Sequence, residues 1–238
     1  MSTHVFGQFD QVRVINLVDR PDRRREMTRE LDRLGPIPRN VAFYDAKRPI
    51  DAGAFVSLGA RGCFESHLSV LRSAREAGAK SLLLLEDDLD FARDAKARLG
   101  PLMADLFSNR WDFFYGAHRL AANGRGGLGT VPSDEPVITA SFVGFNGEVL
   151  GPLVDFLDAM LLRPAGSPDY GPMHVDGAYT VFRMLNPDRV TFAAFPTLGR
   201  QRSSPSDITP GRMLLDRWAA TRPLASMLRR GYNALRRR

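Results

Sequence analysis

One short run constrains this chain more than any other. Ser81 to Leu85 reads SLLLL and passes directly into Glu86-Asp87-Asp88. Side chains of a strand alternate between two faces, and Leu82 to Leu85 leave no polar residue on either. Such a run predicts a strand buried on both sides, in a sheet covered by helices on both faces. Three carboxylates then follow at the strand's carboxyl end, where open α/β sheets bind their ligands. They repel one another, and an extended backbone would point Glu86 and Asp88 one way and Asp87 the other.

The flanking sequence supports an α/β alternation. Val12 to Leu17 is a β-branched first strand. Pro21 suits a first helical turn, and Asp19 or Asp22 is placed to cap it. Arg23 to Leu34 carries Met27, Leu31 and Leu34 at helical spacing and ends at Gly35-Pro36. Val41 to Tyr44 reads as a strand, and 49–62 as irregular chain. Phe64 to Ala77 repeats Phe64, Leu68 and Leu71 on one helical face, with Gly78 as the stop. Further helices are predicted over Ala95 to Phe107, Val149 to Leu162 and Val175 to Leu185. Further strands are predicted over Trp111 to Tyr115, Val137 to Phe145 and Val190 to Phe195. Leu120 to Pro136 and Arg163 to Pro172 are rich in turn residues and read as loops. This alternation predicts an open, mainly parallel mixed sheet in one domain over 1–210, with a separate tail over 211–238.

Charge excludes some functions. The chain carries 33 basic and 27 acidic residues, a net +6. The segment from Arg212 to Arg238 holds eight arginines and one acid, so the body is close to neutral. A nucleic-acid reader spreads basic charge over its folded face, so no nucleic-acid partner is expected. Met1 to Gln11 has neither a basic start nor an apolar run, so no signal peptide is expected. The single Cys63 allows no intramolecular disulfide and fits a cytoplasmic protein. One Cys and four His argue against a structural zinc site. The tail alternates Leu, Met and Trp218 with arginines, a pattern that can lie on an anionic membrane surface or pack on the body.

Several residues could carry chemistry. A hard divalent cation would relieve the repulsion in Glu86-Asp87-Asp88, and it prefers oxygen ligands; the alternative is a solvated acidic turn. Gly124 to Gly129 formally matches a dinucleotide fingerprint, but no strand precedes it and prolines follow, so it reads as a loop. His67 lies on or near the buried face of its helix, and its default role is a satisfied core histidine. Asp176 begins a helix, where a capping role competes with catalysis.

Taken together, VINLVDRPDRR (Val14 to Arg24), GARGCFESHLSVLRSA (Gly59 to Ala74) and LLLLEDDLDF (Leu82 to Phe91) resemble glycosyltransferase family 25. TASFVGF, HVDGAY and PTLGRQRSSPSDI are weaker echoes, and the resemblance runs over about 12–208. It implies a GT-A fold, a single nucleotide-binding domain. It implies inverting transfer of a sugar, often galactose, from a UDP-sugar to an acceptor hydroxyl, with Mn²⁺ or Mg²⁺ as cofactor. By position, Asp88 would ligate the metal, with Glu86 and Asp87 binding ribose, or the metal through water. Asn16, Arg20 and Arg24 would line the nucleotide pocket, Ser66 and His67 would line or brace it, and Gln201 would contribute from the last block. Asp176 would be the catalytic base. No His follows His174, so the C-terminal histidine ligand common in GT-A enzymes would be replaced by water, Asp207 or nothing. The acceptor would be a cell-surface glycan or glycolipid, as in lipopolysaccharide synthesis, met by a cytoplasmic enzyme peripheral to the membrane. Two other readings stand beside this one: a degenerate membrane- or polyanion-binding module, and a sugar-nucleotide nucleotidyltransferase, although Val14 to Arg24 lacks the latter's glycines.

Overall fold

The computed structural model describes residues 5–46, 48–121 and 126–202. The basic tail and Asp207 lie outside the described residues. The chain order is β1 (Gln11–Leu17), α1 (Pro21–Leu34), β2 (Val41–Ala46), α2 (Leu58–Glu76), β3 (Ser81–Glu86), β4 (Leu89–Phe91) and α3 (Ala95–Ser108). Then come β5 (Phe113–Tyr115), β6 (Gly127–Thr130), β7 (Phe142–Asn146), α4 (Gly147–Leu161), α5 (Val175–Leu185), β8 (Thr191–Phe195) and β9 (Gly199–Gln201).

Among the described residues, seven strands form one sheet in the order β2-β1-β3-β7-β5-β8-β6. β2, β1, β3, β5 and β8 run in one direction, while β7 and β6 run against them. The carboxyl ends of those five strands and the amino end of β7 therefore share one edge. β3 sits between β1 and β7. Leu82 and Leu84 face one core with α2, α4 and α5, and Leu83 and Leu85 face the other with α1 and α3. All four leucines are fully buried, each worth about 1.5–3 kcal/mol of transfer free energy. The doubly covered α/β sheet expected from SLLLL is the observed architecture.

Local chemistry explains the element ends and several departures. α1 starts at Pro21, but Arg20 holds the N-cap position and neither Asp19 nor Asp22 caps the helix; both acids pair with arginines instead. α2 begins at Leu58, inside the stretch expected to be irregular, because Ser57 accepts from the Ala60 N–H at 3.0 Å and nucleates an extra turn. Gly78 takes the left-handed conformation expected of a stop, at φ 64°. The loop expected over Leu120 to Pro136 contains β6, an edge strand on β8. The strand expected from Val137 starts only at Phe142. Thr139 breaks it with φ 83°, a conformation β-branched residues rarely adopt. β4 and β9 form a separate two-stranded ladder that no local pattern announces.

Candidate functional site

The acidic turn leaves β3 at the shared sheet edge. Glu86 is the strand's last residue, and its carboxylate lies on the α2 face, 3.1 Å from His67 Nε2 and 3.4 Å from Cys63 Sγ. Asp87 turns to the other face. Asn16 Nδ2 donates to its Oδ2 at 2.7 Å, and Arg23 lies 3.4 Å from its Oδ1. The alternation expected of an extended backbone therefore holds for these two residues. Burial pushes the Asp87 carboxyl upward, against the pull of Asn16 and Arg23.

Asp88 has a different environment. Gln201 Nε2 donates to its Oδ2 at 3.0 Å, while its Oδ1 is buried without a hydrogen-bond partner among the described residues. Burial first, and then the neighbouring Glu86 charge, push its carboxyl up from 3.8 to about 7. The Arg202 N–H donates to the Asp88 carbonyl at 2.6 Å, and the Arg202 guanidinium reaches Asp90 and Glu26. The β4–β9 ladder thus clamps the turn from its far side.

His67 is fully buried, with Nδ1 3.0 Å from the Tyr179 hydroxyl and Nε2 against Glu86. Both ring nitrogens are satisfied, so it braces Glu86, the core role that its helical position suggested. Ser66 is buried and spends its hydroxyl on the Gly62 carbonyl at 2.6 Å. Asp176 lies in the first turn of α5 and accepts from the Thr139 N–H at 3.1 Å and the Gly177 N–H at 2.9 Å. The charges of Glu86, Asp176 and Asp88 all act on the Cys63 thiol, so these four groups occupy one region. That thiol is pushed up, chiefly by burial.

The structure gathers Asn16, His67, Glu86, Asp87, Asp88 and Gln201 into one connected set, with Asp176 nearby. Arg20 and Arg24 lie just beyond β1 but are engaged at the surface. Arg20 pairs with Asp22 at 2.7 Å, and Arg24 pairs with Asp45 at 2.7 Å and lies over the Phe43 ring. Sequence reasoning passed over Arg23, Tyr179, Thr139 and Arg202. Arg23 was findable: it stands one turn before Met27 on the Met27-Leu31-Leu34 stripe, so it had to face inward.

A divalent cation suits this edge on one observation. A buried carboxylate oxygen without a donor is costly, and among the described residues Asp88 Oδ1 has none. Glu86 lies beside it and adds a second hard oxygen donor.

Comparison with known proteins bears on the family and the fold. No family model matches the chain. It is 31% identical over 128 residues to procollagen galactosyltransferase 1 of Danio rerio, covering 45% of this chain and 21% of that protein. It is 31% identical over 127 residues to inactive glycosyltransferase 25 family member 3 of Homo sapiens, with coverages of 45% and 21%. The chain thus spans about a fifth of the length of these relatives. These similarities support a family-25-like glycosyltransferase assignment. A solved glycosyltransferase involved in glycosylating the major capsid of PBCV-1 shares the fold, with a TM-score of 0.50 and 12% identity. That likeness covers 82% of this chain and 93% of the other.

Proposed function

We propose that this chain is a metal-dependent, inverting glycosyltransferase. It would move a sugar, galactose first among candidates, from a UDP-sugar to a hydroxyl of a cell-surface glycolipid or polysaccharide. The observation that carries this reading is Asp88, whose Oδ1 is buried at the carboxyl edge of the parallel strands with no donor among the described residues. Mn²⁺ or Mg²⁺, when bound, would act as a Lewis acid on the departing nucleoside diphosphate. Asp88 would be its direct ligand, with Glu86 contributing directly or through water.

The chain's own residues have separable tasks. Gln201 fixes Asp88 by holding Oδ2. Both oxygens of Asp87 are engaged by Asn16 and Arg23, so Asp87 ties the turn to β1 and α1. Arg20 and Arg24 stand beyond the end of β1, where swinging away from Asp22 and Asp45 would let them meet a nucleotide's negative charge. Asp176 would take the proton of the attacking hydroxyl. Two backbone N–H groups hold its carboxylate in one orientation, which a base needs at the moment of attack. A basic C-terminal segment touching anionic lipid would bring this cytoplasmic enzyme to a lipid-linked acceptor. Among the described residues no helix is long and apolar enough to cross a membrane.

A second reading is a degenerate binding module, because the human relative is named as inactive. Calorimetry of UDP, with and without Mn²⁺, on the wild type and Asp88→Ala tests both. Mn²⁺-dependent binding lost in Asp88→Ala supports the donor site, and release of galactose from UDP-galactose then supports catalysis. Binding without turnover of any UDP-sugar favours the degenerate module. No binding under any condition refutes the donor assignment.

A further inference from the structure

Beside the acidic turn, a second set of donors converges, of which the glycosyl-transfer reading uses only Glu86. Cys63 and His67 stand one helical turn apart on α2, so they present Sγ and Nε2 on the same face. Glu86 meets them from the end of β3. The three donor atoms lie within 4.8 Å of one another. Two of the edges, His67 Nε2 to Glu86 Oε1 at 3.1 Å and Cys63 Sγ to Glu86 Oε1 at 3.4 Å, are already short. Metal–ligand bonds of 2.0–2.3 Å in a tetrahedron place neighbouring donors about 3.3–3.8 Å apart. Small side-chain movements therefore suffice to seat an ion.

We propose that Cys63, His67 and Glu86 form a second site, adjoining the Asp88 site through Glu86, for a thiophilic divalent cation of the Zn²⁺ class, with a fourth position left to solvent. The donor chemistry separates it from Asp88. Thiolate and imidazole favour Zn²⁺ and Co²⁺, whereas an all-carboxylate turn favours Mn²⁺ and Mg²⁺. One cysteine is too few for a thiolate-rich closed structural site, but an open site needs only three protein ligands.

The surroundings suit the role. In the metal-free state the His67 Nε2–H donates to Glu86, and its Nδ1 accepts from the Tyr179 hydroxyl at 3.0 Å. On binding, Nε2 gives its lone pair to the cation, the ring proton sits on Nδ1, and the Tyr179 oxygen accepts it. A hydroxyl serves either tautomer, so the partner that orients the ligating ring is already in place. Cys63 releases one proton to solvent as its sulfur coordinates, which makes binding pH-dependent. His67 is fully buried and its ring is held, while the Glu86 side chain keeps some exposure through which a cation can reach the set. Nearby Asp88 and Asp176 add attraction for any cation that approaches.

Cobalt(II) titration of the metal-free full-length chain tests this. Cys63 is the sole thiol, so a near-ultraviolet thiolate-to-cobalt charge-transfer band reports this site alone. We expect a band saturating at one cobalt per chain and displaced by Zn²⁺. It should persist in Asp88→Asn, weaken in Glu86→Gln and vanish in Cys63→Ser. The wild-type spectrum decides even if a variant fails to fold. No band under excess cobalt, saturation at half a cobalt per chain, or a band unchanged in Glu86→Gln would each overturn the assignment. Nucleotide is absent throughout, so this outcome is independent of the UDP experiment.

Discussion

Replacing Asp88 by Asn should stabilise the metal-free protein at alkaline pH while removing its response to Mn²⁺. The folded chain holds the Asp88 carboxyl at about 7 instead of 3.8. A carboxyl raised in the folded state binds its proton more tightly there than in the unfolded chain. Its contribution is therefore fully present below pH 4 and lost as pH climbs through 7. Moving the carboxyl from 3.8 to about 7 corresponds to about 4 kcal/mol between those limits. At roughly 2–4 °C per kcal/mol for a domain of this size, the ceiling is about 8–16 °C in Tm. Asn keeps the shape but has no charge to desolvate. The assay is thermal melting in EDTA at pH 4 and pH 8. The wild type and Asp88→Asn should melt together at pH 4, and the variant should melt several degrees higher at pH 8. Saturating Mn²⁺ should then raise only the wild type. A variant less stable than the wild type at pH 8, or a difference that does not change with pH, would refute the argument.

Three further outcomes follow from the packing. Gly116→Ala should destabilise by about 1–3 kcal/mol in urea melts, because an added Cβ would meet the Phe142 ring at 2.5 Å. That ring packs against Phe6, Phe91 and Phe114 and has little room to yield. Asn16→Ala should cost about 1–3 kcal/mol, since it strips the 2.7 Å donor from buried Asp87; the loss should shrink as pH falls, because burial pushes that carboxyl upward and its protonated form needs no such donor. Thr139→Gly should leave Tm unchanged or higher. Relief of a left-handed φ of 83°, worth about 1–3 kcal/mol, offsets the lost hydroxyl bond to the Ala117 carbonyl at 3.2 Å.

Local signals were readable wherever one face or one turn decided the outcome. SLLLL marked a doubly buried central strand because apolar residues on both faces leave no other stable placement. The limits of α5 match the sequence expectation because breakers flank a clear amphipathic stretch. Residues 137–141 misled because β-branched Val137, Ile138 and Thr139 look like a strand, whereas bonds to Asp176 and Ala117 bend the chain away. β4 and β9 were hidden because each is three residues long and their pairing is entirely non-local. For the site, adjacency made Glu86-Asp87-Asp88 plain. Arg202 was not, because its place depends on the β4–β9 ladder. Arg20 and Arg24 attracted notice as charges, while the arginine between them reaches the acidic turn.

The β4–β9 clamp also bears on how the chain is made. Gln201 lies 113 residues beyond Asp88, so at about 5–20 residues per second a ribosome needs roughly 6–23 s to supply it. For that interval the nascent chain carries the acidic turn with Asn16 and Arg23 available but neither Gln201 nor Arg202 yet synthesised. Truncation before Gly199 would fix the chain in that open state, with every residue of the turn present and the strand that closes it missing.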